Sequence, residues 1–306
     1  MSFKASAPGS LMLLGEYAVL HGGYAVSCAV NYRMFVTLTA RSDNKIKIHS
    51  ALGEYETELS DLEIISPFQF ILAVLKKFQN ELRSGCDIFI ESEFSDQLGL
   101  GSSAAVTVAL IKAISQWISF SFTQEELILD AREIIRSVQG IGSGADVAAS
   151  VLGGIVAYSA KNFFAEKFIY DYPLSVVYSG SKTKTVDAIS FVKNKFLTDE
   201  KKLKNILDAI NGCAEKGIRA LEENNFFEFG NSMNQQQLHM EELGVSTAVL
   251  HDVVQLLKNK PSLHGVKISG SGLGDCAVAL GELRSIEIGT LIPCQIDLHG
   301  VRDEKN

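Results

Sequence analysis

The sequence lacks the features that mark disulfide-stapled, secreted and membrane-spanning proteins. None of its five cysteines forms a CxxC pair, and their scatter favours small core residues in a reducing compartment. The N-terminus has no charged-then-apolar signal pattern, and no segment approaches the ~18 apolar residues of a membrane span. We therefore expect a soluble, cytoplasmic protein that has no membrane partner.

A basic stripe is also absent. The net charge is −8 and the 28 lysines and arginines are scattered, which argues against a nucleic-acid partner. Acidity does not exclude an anionic small-molecule substrate, because a local site can still be positive. The 306 residues suffice for two domains, and the composition shifts from glycine-rich to helix-rich near residue 170. This shift predicts domains over residues 1–170 and 171–306.

Periodicity predicts a mixture of helices and strands. Alternating or short apolar runs predict strands, and apolar residues at helical spacing predict helices. The predicted strands include residues 11–14, 34–40, 45–49, 86–90 and 174–178. The predicted helices include residues 67–80, 106–118, 226–243 and 247–257.

A glycine-rich turn at residues 98–105, LGLGSSAA, leads straight into a predicted buried helix. Ser102 or Ser103 is expected to cap that helix. The free N–H groups of a helix N-terminus suit a phosphate, and a serine hydroxyl can ligate the magnesium that accompanies a nucleotide. No Gly-Lys-Ser/Thr closes the turn, so it is not a Walker A loop. The alternative is a small-residue turn before a buried helix, with no ligand.

Two more glycine-rich turns follow, at residues 139–146 (QGIGSGAD) and 267–276 (KISGSGLGDC). The first ends in Asp146, directly before small helix-forming residues. A helix N-terminus favours the charged form of an acid, so Asp146 is a candidate proton acceptor or cation partner. Glu16 is a second candidate acid, because it follows the apolar run 11–14. The alternatives are an ordinary helix-terminal acid at Asp146 and a capping or solvent-facing acid at Glu16.

Together the turns resemble the motifs of the GHMP kinase family, which includes galactokinase, homoserine kinase, mevalonate kinase and phosphomevalonate kinase. Residues 8–16 (PGSLMLLGE) resemble the first motif, 99–105 (GLGSSAA) the nucleotide-phosphate motif and 268–276 (ISGSGLGDC) the third. The resemblance spans residues 5–281. It implies an α+β, two-domain GHMP kinase fold. The N-terminal domain would be like domain 2 of ribosomal protein S5, the C-terminal domain ferredoxin-like, and the active site between them.

The resemblance also implies residue roles. Asp146 would accept a proton from, or orient, the substrate hydroxyl, and Ser103 would bind magnesium. The expected nucleotide-binding residues are Leu98, Gly99, Leu100, Gly101, Ser102, Ser103 and Ala104. The expected substrate-binding residues are Glu16, His21, Ser143, Gly144, Lys182, Ser269, Gly270, Ser271 and Gly272. The implied cofactors are ATP and Mg²⁺, and the implied partner is a small-molecule substrate of a monomeric or homodimeric enzyme.

Two positions depart from the family pattern. Ser10 stands where the family commonly has a lysine aimed at the catalytic aspartate. We place Ser10 in the catalytic set, with Lys182 or Lys184 as candidates to supply the lost charge. A family glutamate that helps bind magnesium would fall at Ile135 by spacing. Glu133 is the nearest acid and is the candidate second metal ligand, although two residues along a helix change the face.

Within the family, the isoprenoid branch fits best. Residues 15–22 (GEYAVLHG) resemble the opening of mevalonate kinases, whereas the turn at 139–146 and the ending GDC at 274–276 lean toward phosphomevalonate kinases. The implied function is phosphorylation of the 5-hydroxyl of mevalonate, and a phosphomevalonate kinase is the alternative. A diphosphomevalonate decarboxylase and a degenerate, non-enzymatic relative are weaker alternatives.

Overall fold

A computed structural model describes residues 1–161 and 163–305 of the chain; Asn162 and Asn306, the last residue of the predicted second domain, lie outside it. The helices are α1 (Gln69–Lys77), α2 (Ser102–Trp117), α3 (Gln124–Gln139), α4 (Ala145–Leu152), α5 (Thr185–Lys195), α6 (Glu200–Glu222), α7 (Phe226–Leu243) and α8 (Ala248–Lys258). The strands are β1 (Ser2–Leu14), β2 (Ala25–Ala40), β3 (Lys45–Ser50), β4 (Gly53–Glu58), β5 (Cys86–Ser92), β6 (Ile155–Ser159), β7 (Phe164–Phe168), β8 (Leu174–Tyr178), β9 (His264–Ser269), β10 (Cys276–Leu280), β11 (Thr290–Ile292) and β12 (Arg302–Asp303). Short 3-10 helices cover Ala18–His21 and Asp96–Leu98.

The first sheet has the order β12-β1-β2-β5-β3-β4, and β6 and β7 extend it from β2. Its centre is the antiparallel pair β1–β2, whose register shifts between Pro8 and Gly9 and again between Met12 and Leu14. The predicted strands 11–14 and 34–40 are the ends of these two long strands. Apolar faces of α2 and α4 pack on β1 and β2, which places the start of both helices beside the second half of β1.

The second sheet is fully antiparallel, with the order β11-β8-β10-β9. The strands β9 and β10 form an antiparallel hairpin, and the helices α7 and α8 pack on β9. The turn between the two strands lies at the end of this hairpin. The chain passes from the first sheet to the second between β7 and β8. Its last residues return to the first sheet, through a bridge between Val30 and Ile296 and through β12 beside β1. The domain division at residue 170 stays a prediction.

Candidate active site

A cavity of about 160 Å³ lies where the three glycine-rich turns meet the end of β1. All three turns contribute to its wall, together with Glu16, the end of α3 and the start of α5. The residues that line it from the turns are Ser103 and Ala104; Gln139, Ile141, Gly142, Ser143, Gly144 and Asp146; and Gly270 and Ser271. The fold therefore gathers segments far apart in sequence around one small space.

Asp146 is the second residue of α4 and is half-buried in this cavity. The helix begins after Gly144, whose φ of 95° is a left-handed conformation that favours glycine. The hydroxyl of Ser10 donates a 2.8 Å hydrogen bond to Oδ1 of Asp146. Burial raises the pKa of Asp146, the bond from Ser10 opposes that rise, and the nearby charge of Glu16 adds to it. The carboxylate is thus a stronger base than an exposed aspartate.

The turn before α2 presents an uncapped helix N-terminus. Gly99 and Gly101 have φ values of 67° and 66°, and Gly101 is the N-cap, with no side chain bonded to the helix. The prediction that Ser102 or Ser103 caps α2 is therefore wrong, because the left-handed glycine starts the helix one residue earlier. The first N–H groups of α2 stay free for a phosphate. The residues present fit a nucleotide phosphate.

Ser10, a residue of β1, contacts this turn through its backbone and its side chain. Its backbone N–H donates to the carbonyl of Leu100 at 3.0 Å, and a Cβ on Gly101 would overlap its hydroxyl. Ser103 lines the cavity and Ser102 does not. A phosphate held at the start of α2 would therefore lie beside Ser103 and close to Asp146.

Glu16 is held in a buried polar cluster at the end of β1. It is 3% exposed and contacts the ammonium of Lys267 and the amide of Gln236. The backbone N–H of Gly270 also donates to it, at 3.2 Å. Burial lowers the pKa of Lys267, and the charge of Glu16 and its hydrogen bond oppose this. Sequence analysis missed Lys267, although a lysine within the otherwise apolar strand β9 was a usable signal.

The third turn is tied to the same end of β1. The hydroxyl of Ser269 donates to the carbonyl of Met12 at 3.0 Å, and the Tyr17 hydroxyl donates to the carbonyl of Ser271 at 2.5 Å. Gly272 packs tightly against Val245. In the described part of the chain, the buried Ser271 hydroxyl has no hydrogen-bond partner. Because Ser271 also lines the cavity, this hydroxyl is available to a ligand.

Comparisons with known proteins identify the family. The family model "GHMP kinases N terminal domain" matches residues 69–154, and "GHMP kinases C terminal" matches residues 218–288. The mevalonate kinase of Thermococcus gammatolerans is 30% identical over 312 residues, which cover 95% of this chain and 93% of that protein. The chain belongs to the GHMP kinase family. The mevalonate kinase of Pyrococcus abyssi is 28% identical to this GHMP kinase over 308 residues. The match covers 94% of this chain and 91% of the Pyrococcus protein.

The fold of this GHMP kinase is also found among solved structures. A protein of Listeria innocua superposes with a TM-score of 0.87 over the full length of both chains, at 22% identity. The predicted α+β, two-domain GHMP kinase fold is confirmed. In the described residues of this GHMP kinase, no helix has the length and apolarity needed to cross a membrane.

The placement of Glu133 in this GHMP kinase does not support its predicted role as a magnesium ligand. It lies on the outer face of α3, where it and Asp130 pair with Lys77 at 2.6 Å and 3.1 Å. Residues 1–161 and 163–305 contain no cluster of three or more histidine, cysteine, aspartate or glutamate side chains that could hold a metal. Magnesium commonly keeps several waters and binds through one or two protein groups plus phosphates. The hydroxyl of Ser103 and the carboxylate of Asp146 fit that requirement.

Lys182 and His21 do not line the cavity that contains Asp146. The ammonium of Lys182 contacts the carbonyl of Asp96, in the 3-10 helix that leads into the turn at residues 98–105. Its role as a substrate ligand and its role as a replacement for the family lysine are both unsupported by this placement. Lys184 precedes α5 and also does not line the cavity. Among the described residues, no cation contributes to the shift in the pKa of Asp146. His21 is exposed beside a second, adjoining cavity.

Proposed function

We propose that this chain is a mevalonate kinase, which transfers the γ-phosphoryl group of ATP to the 5-hydroxyl of mevalonate. The observation that carries the proposal is the shared cavity of Asp146 and Ser103, at the uncapped N-terminus of α2. Phosphoryl transfer depends mainly on positioning and charge stabilisation, and this cavity can provide both. Curated mevalonate kinases at 28–30% identity over most of the chain support the choice of acceptor.

Asp146 acts on the acceptor. Because Ser10 donates to Oδ1, the other carboxylate oxygen is left to accept a hydrogen bond from the acceptor hydroxyl. The raised pKa of Asp146 makes it a better proton acceptor as the hydroxyl attacks phosphorus. The proton leaves the hydroxyl for Asp146 while the oxygen bonds to the γ-phosphorus and the bond to ADP breaks.

The nucleotide is held by the turn at residues 98–104. Free N–H groups at the start of α2 bind phosphate oxygens, and Gly99 and Gly101 let the phosphates approach the backbone closely. Ser103 would hold Mg²⁺ together with the phosphates, and the ion supplies neutralisation of the charge on the transferred group. Lys267 neutralises Glu16, which in turn fixes Gly270 and so positions Ser271 at the cavity.

An assay of ATP consumption with four acceptors tests the proposal. The purified chain is supplied with Mg²⁺, ATP and either mevalonate, phosphomevalonate, galactose or homoserine, and ADP release is measured. We expect mevalonate to give the highest kcat/KM. A preference for phosphomevalonate would instead assign the alternative kinase, and turnover of galactose or homoserine alone would overturn the proposal.

A further inference from the structure

The end of the third turn packs on the start of the nucleotide turn (residues 98–104). A Cβ on Gly99 would lie 2.8 Å from Cβ and 2.9 Å from Cγ of Asp275, so the aspartate side chain rests on the backbone of this glycine. The thiol of the next residue, Cys276, donates to the carbonyl of Leu98 at 3.1 Å. An acidic side chain therefore lies against the segment that leads into the uncapped N-terminus of α2.

The backbone of Asp275 is held in an uncommon conformation. Its φ of 63° is left-handed, which few residues with a side chain adopt. Its N–H donates to the carbonyl of Ser181 at 2.7 Å, and its carbonyl accepts from the N–H of Ser179 at 2.9 Å. Such conformations persist where the surrounding structure holds them, and they cluster at ligand sites. The loop after β8 thus fixes the backbone from which the carboxyl projects onto Gly99.

One oxygen of this carboxyl has no partner. The Oδ1 atom of Asp275 is buried and forms no hydrogen bond with any described residue. Burial raises the pKa of Asp275 to about 6, and the charge of Lys182 opposes that rise. The ammonium of Lys182 contacts the carbonyl of Asp96 and forms no hydrogen bond with the carboxyl of Asp275 in the described part of the chain. A buried carboxylate oxygen without a donor is costly, so the neutral acid is favoured.

The other ionisable groups around this contact are two thiols and an exposed acid. Burial raises the pKa of the Cys276 thiol, and it raises the pKa of the nearby Cys294 thiol to about 12, so both thiols stay neutral near pH 7. The carboxylate of Asp96 is exposed and accepts a hydrogen bond from the side-chain amide of Gln97 at 3.1 Å. It does not contribute to the shift in the pKa of Asp275. Asp275 is therefore the group of this contact whose charge changes close to neutral pH.

We propose that Asp275 binds the nucleotide as a neutral acid, whose carboxyl O–H donates a hydrogen bond to a phosphate oxygen at the nucleotide turn. The inference rests on the proposed use of ATP and adds a nucleotide-binding residue from the third turn. A protonated carboxyl has one O–H donor, and an O–H bonded to an anionic oxygen makes a strong hydrogen bond. An ionised carboxyl would instead repel the phosphate. Above a pH of about 6, nucleotide binding is therefore coupled to uptake of a proton by Asp275.

The pH dependence of nucleotide affinity tests the inference. The Mg²⁺ complex of a non-hydrolysable ATP analogue is titrated calorimetrically into the parent and Asp275→Asn between about pH 6 and pH 8. Asparagine keeps a hydrogen-bond donor, does not ionise and tolerates a left-handed φ. The ratio of the two affinities cancels the titration of the nucleotide itself. We expect the parent to lose at least about tenfold in affinity relative to Asp275→Asn over this range, because a required proton costs up to about tenfold per pH unit.

Two further variants control for charge and for backbone strain. Asp96→Asn removes an exposed charge near the same turn and should keep the pH dependence of the parent. Asp275→Gly suits the left-handed backbone but removes the donor, so it should bind about tenfold more weakly than Asp275→Asn at every pH. The same pH dependence in the parent and in Asp275→Asn would overturn the inference. A parent affinity that rises with pH relative to Asp275→Asn would also overturn it, because the ionised carboxylate would then be the binding form.

A count of protons separates failure of this inference from failure of the proposed function. Binding heats measured at pH 7 in buffers of different ionisation enthalpy give the number of protons taken up with the nucleotide. The parent should take up about one proton more than Asp275→Asn, and equal uptake would refute the inference even in an active mevalonate kinase. The measurement needs no acceptor. The extra proton in a protein without mevalonate turnover would therefore support the role of Asp275 and refute the proposed acceptor.

Discussion

The hydroxyl of Ser10 donates a 2.8 Å hydrogen bond to Asp146, while the backbone N–H of the same residue donates to the carbonyl of Leu100. One residue of β1 therefore fixes both the carboxylate of the second turn and the backbone of the first. Ser10 is 1% exposed and lies against Gly101. The aspartate is positioned here by a neutral donor, at the place where a family lysine would supply a charge.

Substitutions of Ser10 should move the pH profile in opposite directions. The hydrogen bond from Ser10 favours ionised Asp146, so its loss in Ser10→Ala raises the pKa of the aspartate. Because turnover needs the carboxylate, the acid limb of the kcat–pH profile should move to higher pH. Ser10→Lys places a cation beside the carboxylate and should move the limb to lower pH. Two shifts of the same sign would refute the role given to Ser10.

Asp146→Asn should abolish most turnover without loss of nucleotide binding. The amide keeps the shape of the side chain but cannot accept a proton, and loss of a general base typically costs ~10²–10⁴ in rate. The kcat and the calorimetric affinity for an ATP analogue are the measurements, with Asp171→Asn at an exposed site as the control. A variant with turnover within about tenfold of the parent would remove Asp146 from the chemistry.

Ser103→Ala should raise the magnesium requirement more than Ser102→Ala. Both serines are in the first turn of α2, but only Ser103 lines the cavity that contains Asp146. Ser102→Ala is therefore the matched control for a lost hydroxyl at this helix end. Rates measured over a magnesium titration give the requirement of each variant. Identical titrations would show that the ion is not held by Ser103.

Lys267→Met should strongly destabilise the protein. The ammonium is fully buried against Glu16, and removal of one partner leaves an uncompensated buried charge, which costs about 3–5 kcal/mol. The double variant Glu16→Gln with Lys267→Met should recover much of that loss. Urea unfolding followed by circular dichroism gives the free energies. Strict additivity of the two single changes would argue against the ion pair.

The sequence predicted the local features of the site well. It located the three turns, placed Asp146 at the start of a helix, and predicted a helix over residues 226–243, as found. It was less accurate at helix starts. The cap expected from the serines of the first turn is instead Gly101, because a left-handed glycine can begin the helix without a side-chain bond.

Features that depend on contacts between distant segments were not predictable. Glu16 and Lys267 are 251 residues apart, and only the packing of β9 beside β1 brings them together. Arg132 and Arg136 of α3 line a cavity together with residues from distant segments of the chain, so this cavity was not predictable from the sequence. Glu133 was predicted because it is the acid nearest to Ile135 in the sequence. Two residues along a helix change the face, so Ile135 lines the cavity whereas Glu133 lies on the outer face of α3 and pairs with Lys77.

The position of the phosphate on the product tests the central claim most directly. The chain is incubated with mevalonate, ATP and Mg²⁺, and the product is analysed by phosphorus NMR with proton coupling, beside an Asp146→Asn control. We predict one new phosphomonoester resonance coupled to the protons of a CH₂ group, as expected for the 5-hydroxyl, and its loss in the control. No new resonance, or one without such coupling, would contradict the assignment of this chain as a mevalonate 5-kinase.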